Sequence, residues 1–130
     1  MFPTVRTAPL RGARSVALTE TIVIDGLDLT GATFRLEVRD RRNGGQLRAG
    51  LDTVASGAAE GVRIVDVDTS GELPVTTLGI RINETSMEAM PETEPGENQV
   101  LWWGMHITPS GSPKFLAYDS TFTVEASTPA

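Results

Sequence analysis

The sequence predicts an all-β domain, an antiparallel sandwich whose strands each keep one wet face. The segment "ATFRLEVRD" alternates Phe34, Leu36 and Val38 with Thr33, Arg35, Glu37 and Arg39, the period-two pattern of a half-buried strand. Seven or eight such short runs recur between turn clusters at spacings of roughly 8–12 residues, the rhythm of a sandwich or barrel. Short strands with several long loops favour the sandwich. The chain has 130 residues, enough for one domain with a modest core.

Taken in order, residues 1–14 hold two prolines, three arginines and no apolar periodicity. They read as an extended arm outside the core. "ALTETIVIDG" is the first strand, stopped by the turn pair Asp25-Gly26. "LDLTG" leads into the alternating strand, and Asn43-Gly44-Gly45 reverses the chain into "QLRAGLDTV". "VRIVDV" follows, closed by "DTSGE", and "LPVTTLGIRIN" sets Leu78, Ile80 and Ile82 on one face.

One short helix is expected next. Asn83 or Thr85 caps it, Glu88 stands three residues after Thr85 in capping-box spacing, and Pro91 stops it. Met87 and Met90 then face the core. An acidic loop, "PETEPGEN", leads to "QVLWWGMHIT", where Leu101, Trp103, Met105 and Ile107 alternate with Trp102, Gly104 and His106. "SGSP" turns the chain and "KFLAYDSTFTVEA" closes the sheet as one strand or a pair. The expected core is Phe34, Leu36, Val38, Ile64, Leu78, Ile80, Ile82, Trp103, Met105, Ile107, Phe122 and Val124. The organisation is thus an arm over 1–14, a sandwich over 15–126 and a flexible tail over 127–130.

Composition removes several functions. No cysteine is present, so disulfides, thiolate metal sites and cysteine nucleophiles are out. The net charge of −6 is split unevenly, +3 over residues 1–50 and −9 over residues 51–130. An acidic chain is a poor binder of phosphate backbones, so no nucleic-acid partner is expected. Arg35, Arg39, Arg41 and Arg42 read as charge solvating one strand face and its turn. No apolar run is long enough to span a bilayer, and "MFPTVRTAPLRGAR" lacks the apolar segment of a secretory signal. Synthesis in the cytosol without export through a cleaved signal is the expectation.

The motifs that suggest chemistry weaken on inspection. "DVDTSGE" resembles the opening of a calcium loop, but its twelfth position is Thr77 rather than a bidentate glutamate. It reads as a turn. His106 is the single histidine, so no triad or histidine-rich metal site assembles around it. The acids between Glu84 and Glu97 crowd a helix and a loop and read as solvating charge rather than a glycosidase pair. Trp102 and Trp103 are adjacent on a strand, so one indole fills the core and the other faces outward. An outward Trp suits a protein contact or the stacking face of a carbohydrate-binding module. No catalytic residues and no cofactor or metal ion are expected. The interface candidates are Arg6, Arg11 and Arg14 on the arm and Trp102 on the sheet.

The string "VIDGLDLTGATFRLEVRD" resembles the D-L-[ST]-G-A-[TS]-x-[RK] opening strand of small tail and baseplate structural domains of tailed bacteriophages. Further pieces follow in the same order: residues 61–73 as the hairpin, "ETSMEAMPE" as the helix, "VLWWGMHIT" as the aromatic strand and "DSTFTVEA" as the closing strand. The resemblance covers roughly residues 16–126. It implies an immunoglobulin-like β-sandwich without catalysis that holds other virion proteins, at a tail tip, baseplate or fibre attachment, with other tail proteins and copies of itself as partners. It further implies synthesis in the bacterial host cytoplasm and a place in the virion tail. On this reading Asp25 and Asp28 punctuate a connection, with Leu27 and Leu29 tucked beneath it. The alternative is a carbohydrate- or receptor-binding sandwich module that uses an exposed Trp.

Overall fold

In the computed structural model, residues 5–92 and 96–126 are described. The strands are β1 (Leu10–Ala13), β2 (Leu18–Asp25), β3 (Thr33–Arg39), β4 (Leu47–Asp52), β5 (Gly61–Asp68), β6 (Val75–Ile82), β7 (Gln99–Thr108) and β8 (Phe115–Glu125), with helix α1 (Glu84–Glu88) between β6 and β7. They form two sheets, a five-stranded sheet A in the order β1-β8-β7-β3-β4 and a three-stranded sheet B in the order β2-β6-β5. The fold is all-β. Sheet B is antiparallel. Sheet A is mixed, because β1 runs parallel to β8, a departure from the expected all-antiparallel sandwich.

Alternation in the sequence is alternation in burial. Phe34, Leu36, Val38, Leu78, Ile80, Ile82, Trp103, Met105, Ile107, Phe122 and Val124 are all buried. Ile64 is half-buried and packs at the edge of that core. It stands opposite buried Leu78 on the edge strand β5, at the last position before the β5–β6 register shifts between Ile64 and Asp66. At the centre, Trp103 and Tyr118 stack with centroids 5.4 Å apart and planes 17° from parallel.

The chain crosses between sheets at places the sequence marks. At the β2–β3 crossing, Gly26 takes φ +87°, a conformation that favours glycine. Asp28 Oδ1 accepts hydrogen bonds from the Thr30 N–H (3.0 Å) and hydroxyl (2.6 Å), a local Asx turn. These bonds hold the Asp28 carboxyl below its ordinary pKa. Beneath it, the buried Thr76 hydroxyl donates to Leu27 O (2.7 Å) and accepts from the Leu29 N–H (3.1 Å). Leu29 is buried and Leu27 half-buried. The aspartates are turn residues.

The β4–β5 crossing needs a residue without a side chain. A Cβ on Gly61 would lie 2.6 Å from both Asp52 O and Val54 Cγ1. At the β6–β7 crossing, α1 begins at Glu84 after Asn83, so the capping box expected at Thr85 and Glu88 does not form. Asn83 Oδ1 instead accepts from Arg81 Nε at 2.8 Å. Met87 and Met90 are buried as expected.

The arm expected over residues 1–14 is corrected for residues 5–14, which pack on the body as an edge of sheet A. Residues 1–4 of that arm and the tail over 127–130 lie outside the described residues. The Arg6 N–H donates to Ala117 O (2.8 Å) and Arg6 O accepts from the Asp119 N–H (3.0 Å). Trp103 Nε1 donates to Ala8 O at 2.9 Å, Leu10 is buried, and Leu10–Ala13 pair with Phe122–Glu125. Backbone pairing to a remote strand holds this segment, and such pairing needs no apolar periodicity of its own.

Candidate functional site

The outer face of sheet A carries Arg35, Arg39 and Arg42, three of the four arginines that the sequence assigns to one strand face and its turn. Register sets Arg35 beside Asp52 and His106, Glu37 beside Gly50 and Gly104, and Arg39 beside Trp102. On the next strand Gly104 faces Asp119. Because i and i+2 share a face of a strand, Arg35, Glu37 and Arg39 form a continuous chain of ion pairs. Arg35 Nη1 lies 3.1 Å from Asp52 Oδ1, Arg35 Nε 3.3 Å from Glu37 Oε2, and Arg39 Nη2 2.9 Å from Glu37 Oε1. Arg39 Nη1 also donates to Gly45 O at 2.9 Å.

Hydrogen bonding from Arg39, opposed by partial burial and helped by Arg35, holds the Glu37 carboxyl below its ordinary pKa. It is an ionised acceptor at neutral pH and has no proton to give as a general acid.

Trp102 is the outward indole, as the strand parity requires. It is half-buried rather than free. The Arg42 guanidinium lies 5.6 Å above its ring and pairs with Asp119 at 2.8 Å. Trp102, Arg42, Asp119, Glu37, Arg39 and His106 line an open depression of about 150 Å³. That is smaller than the hundreds of cubic ångströms typical of a small-molecule site.

The three arm arginines do not join this face as one patch. Arg6 is half-buried, and its guanidinium donates to Asp25 O at 3.5 Å. Arg11 is exposed and lies 3.6 Å from Glu125. The Arg14 side chain is 13% exposed and 3.2 Å from Glu92. That contact is an ion pair without hydrogen-bond alignment, since Arg14 Nε has no hydrogen-bond partner. Its terminal nitrogens donate to Met90 O (2.6 Å) and Pro91 O (3.1 Å), which fastens β1 to the end of α1. Arg14 is a structural residue rather than a free contact.

Asp68, from the calcium-like string, accepts from the Ser70 N–H (2.9 Å) and hydroxyl (2.6 Å). These bonds lower its pKa and make it a turn residue. Among the described residues, no three His, Cys, Asp or Glu side chains are placed to hold an ion.

Sequence reasoning did not single out the outer face of sheet B. There Thr19, Thr21, Arg63, Val65 and Gly79 line a groove of about 200 Å³. The signal was present as the β-branched run "TETIVI", which marks a strand but not whether its edge is covered.

No protein-family model matches the chain, and no curated protein matches it. Among solved structures, a family 123 glycoside hydrolase from Clostridium perfringens, studied for glycolipid glycan hydrolysis, aligns with a TM-score of 0.39 at 10% identity. The alignment covers 93% of this chain and 23% of that one, so the chain spans less than a quarter of that enzyme. A likeness this weak carries no argument about fold or function.

Proposed function

We propose that this chain is a non-enzymatic structural domain of a tailed bacteriophage or prophage, an immunoglobulin-like adaptor that joins tail-tip, baseplate or fibre components by protein–protein contacts. The observation that carries the proposal is the outer face of sheet A. It is a broad, shallow surface whose charges are already set by one another, with Trp102 and Arg42 at its centre. Trp and Arg are among the side chains enriched at interface hot spots, and pre-set side chains lose little entropy on docking. The segments that resemble the tail-domain pattern support it too, since "ETSMEAMPE" contains α1, "VLWWGMHIT" lies within β7 and "DSTFTVEA" ends β8.

The carbohydrate-binding reading has less support. Arg42 already occupies one face of Trp102, so a sugar stacking there would first displace a cation held by Asp119. Mass spectrometry of purified particles from the producing host is the test. The chain should be present in fixed ratio to tail proteins, and Trp102→Ala should lower incorporation several-fold while the isolated domain stays folded. Particles that lack the chain, or glycan binding abolished by Trp102→Ala, would overturn the proposal.

A further inference from the structure

Strand β2 is an edge of sheet B, and its backbone parity can be worked out. The Gly26 N–H donates to Pro74 O at 2.7 Å, and the β2–β6 register runs without a shift from Leu18↔Ile82 to Asp25↔Val75. Hydrogen-bonded and non-bonded pairs alternate in an antiparallel ladder. The even-numbered residues Glu20, Ile22 and Ile24 therefore bond to β6. The odd-numbered residues Thr19, Thr21, Val23 and Asp25 turn their N–H and C=O groups away from it. Arg6 donating to Asp25 O agrees with this parity. No backbone hydrogen bond outside the β2–β6 ladder involves Thr19, Thr21 or Val23 among the described residues.

Folded proteins usually blunt such edges with short length, bulges, lysine, proline or a covering loop. The other edges show these devices. β1 has 4 residues, β4 is bulged at Arg48, and β5 is bulged and bonded at one end by Val54. β2 has 8 residues, no bulge, no proline and no cation. Its single internal charge is Glu20.

Exposed apolar side chains concentrate along the same line. Among the described residues, the three most exposed large hydrophobic side chains are Leu73 (65%), Val16 (58%) and Val23 (57%). Val23 lies on β2, Val16 just before it, and Leu73 in the turn beside Pro74, which bonds Gly26 at the far end of β2. An apolar residue at each end and one within the strand is a pattern that an antiparallel copy of the same strand satisfies.

We infer that the β2 edge pairs with the β2 edge of a second copy of this chain, antiparallel about a two-fold axis through Thr21. This register sets Thr19 opposite Val23 of the second copy, using the outward backbone groups on both strands. It brings Val16 alongside Gly26 of the second copy, next to the turn that carries its Leu73. Glu20 falls opposite Ile22 of the second copy, whereas an axis through Glu20 would oppose two carboxylates, which is destabilising. The inference does not depend on the virion role, because it concerns the purified chain alone.

The experiment is molar mass by light scattering over a concentration series, with variants chosen from the parity. The full chain should approach twice its monomer mass as concentration rises. Thr21→Pro removes an N–H that the β2–β6 ladder does not use, so the domain should keep its far-UV spectrum and remain monomeric. Val23→Lys, on the exposed face, should do the same and decides the matter if Thr21→Pro fails to fold. Thr21→Cys tests the register in a chain without cysteine. Under mild oxidation it should give a disulfide-linked dimer, since facing residues of a bonded pair lie about 5.5 Å apart, while Thr77→Cys on β6 should not. A chain that stays monomeric at its highest soluble concentration overturns the inference. So does a dimer that persists in Val23→Lys, or equal cross-linking of Thr21→Cys and Thr77→Cys.

Discussion

The outer faces of the two sheets rest on one core and differ in most other respects. On sheet A, arginines and carboxylates neutralise each other along β3 and across to β4 and β8, and Trp102 lies beneath Arg42. On sheet B, Thr19, Thr21 and Val23 of β2 are exposed beside Arg81, Gly79 and Thr77 of β6. The two carboxylates of β2, Glu20 and Asp25, are exposed without an ion-pair chain like that of β3 among the described residues. A charge-patterned face discriminates between partners, because a mismatch leaves a charge unpaired. A plain edge recognises any extended strand of matching shape through backbone bonds. On the two proposals made above, one domain offers a selective surface for a different protein and a generic one for its own copy.

The largest expected effect removes what both faces share. Trp103→Ala deletes a fully buried ring stacked on Tyr118 and should cost about 3–5 kcal/mol. Against a total of roughly 5–15 kcal/mol for a small domain, both faces should be lost together. Chemical denaturation that reported one sheet melting before the other would break the idea of a common core.

Deleting residues 1–14 acts mainly on sheet A, with the Arg6 contact to Asp25 O on β2 lost as well. It removes the buried Leu10, the acceptor of the Trp103 indole N–H, and the Arg14 bonds to Met90 and Pro91. Burial of one leucine is worth about 1.5–3 kcal/mol, so the Tm should fall by several degrees. An unchanged Tm would return this segment to the status of a loose arm.

Thr76→Val acts where sheet B hands the chain to sheet A. The isosteric change leaves Leu27 O and the Leu29 N–H without their partner and should cost about 1–3 kcal/mol. The parent Tm in that variant would show that the crossing is held by packing alone.

The smallest effect sharpens the charged face. The Glu37 carboxyl titrates below its ordinary value of 4.5, so the folded state binds that proton less readily than the unfolded chain does. Its stabilising contribution is therefore present above pH 4.5 and lost as pH falls through the lowered folded value. Partly exposed pairs of this kind contribute at most about 1 kcal/mol. Glu37→Gln should lower stability slightly at neutral pH and converge with the parent in acid, followed by urea titration at several pH values. A constant difference across that range would place its effect in packing rather than charge.

Much of this was legible because local alternation reports burial wherever a strand has one wet face. β3 shows it at every position and β7 from Leu101 onward, down to which of Trp102 and Trp103 turns inward. β1 was not legible. Only Leu10 is a large apolar residue in "LRGA", and its partner is Phe122 on a strand at the other end of the chain, a pairing no local window contains. Arg14 looked like a mobile cation because its acceptors are backbone carbonyls brought in by α1. Trp102 looked free because the turn that places Arg42 over it is set by tertiary structure. Thr76 and Thr77 stand side by side in "VTTLGI", and only the crossing above Thr76 distinguishes them.

Amide hydrogen exchange resolved by residue, at low and high protein concentration, tests the division between the two faces most directly. At low concentration the amides of Thr19, Thr21 and Val23 should exchange freely while those of Glu20, Ile22 and Ile24 are protected by β6. At high concentration the first set should gain protection, and the amides of β3 and β7 in sheet A should stay as they were. Protection of Thr21 and Val23 that does not change with concentration, or a change confined to sheet A, would contradict it.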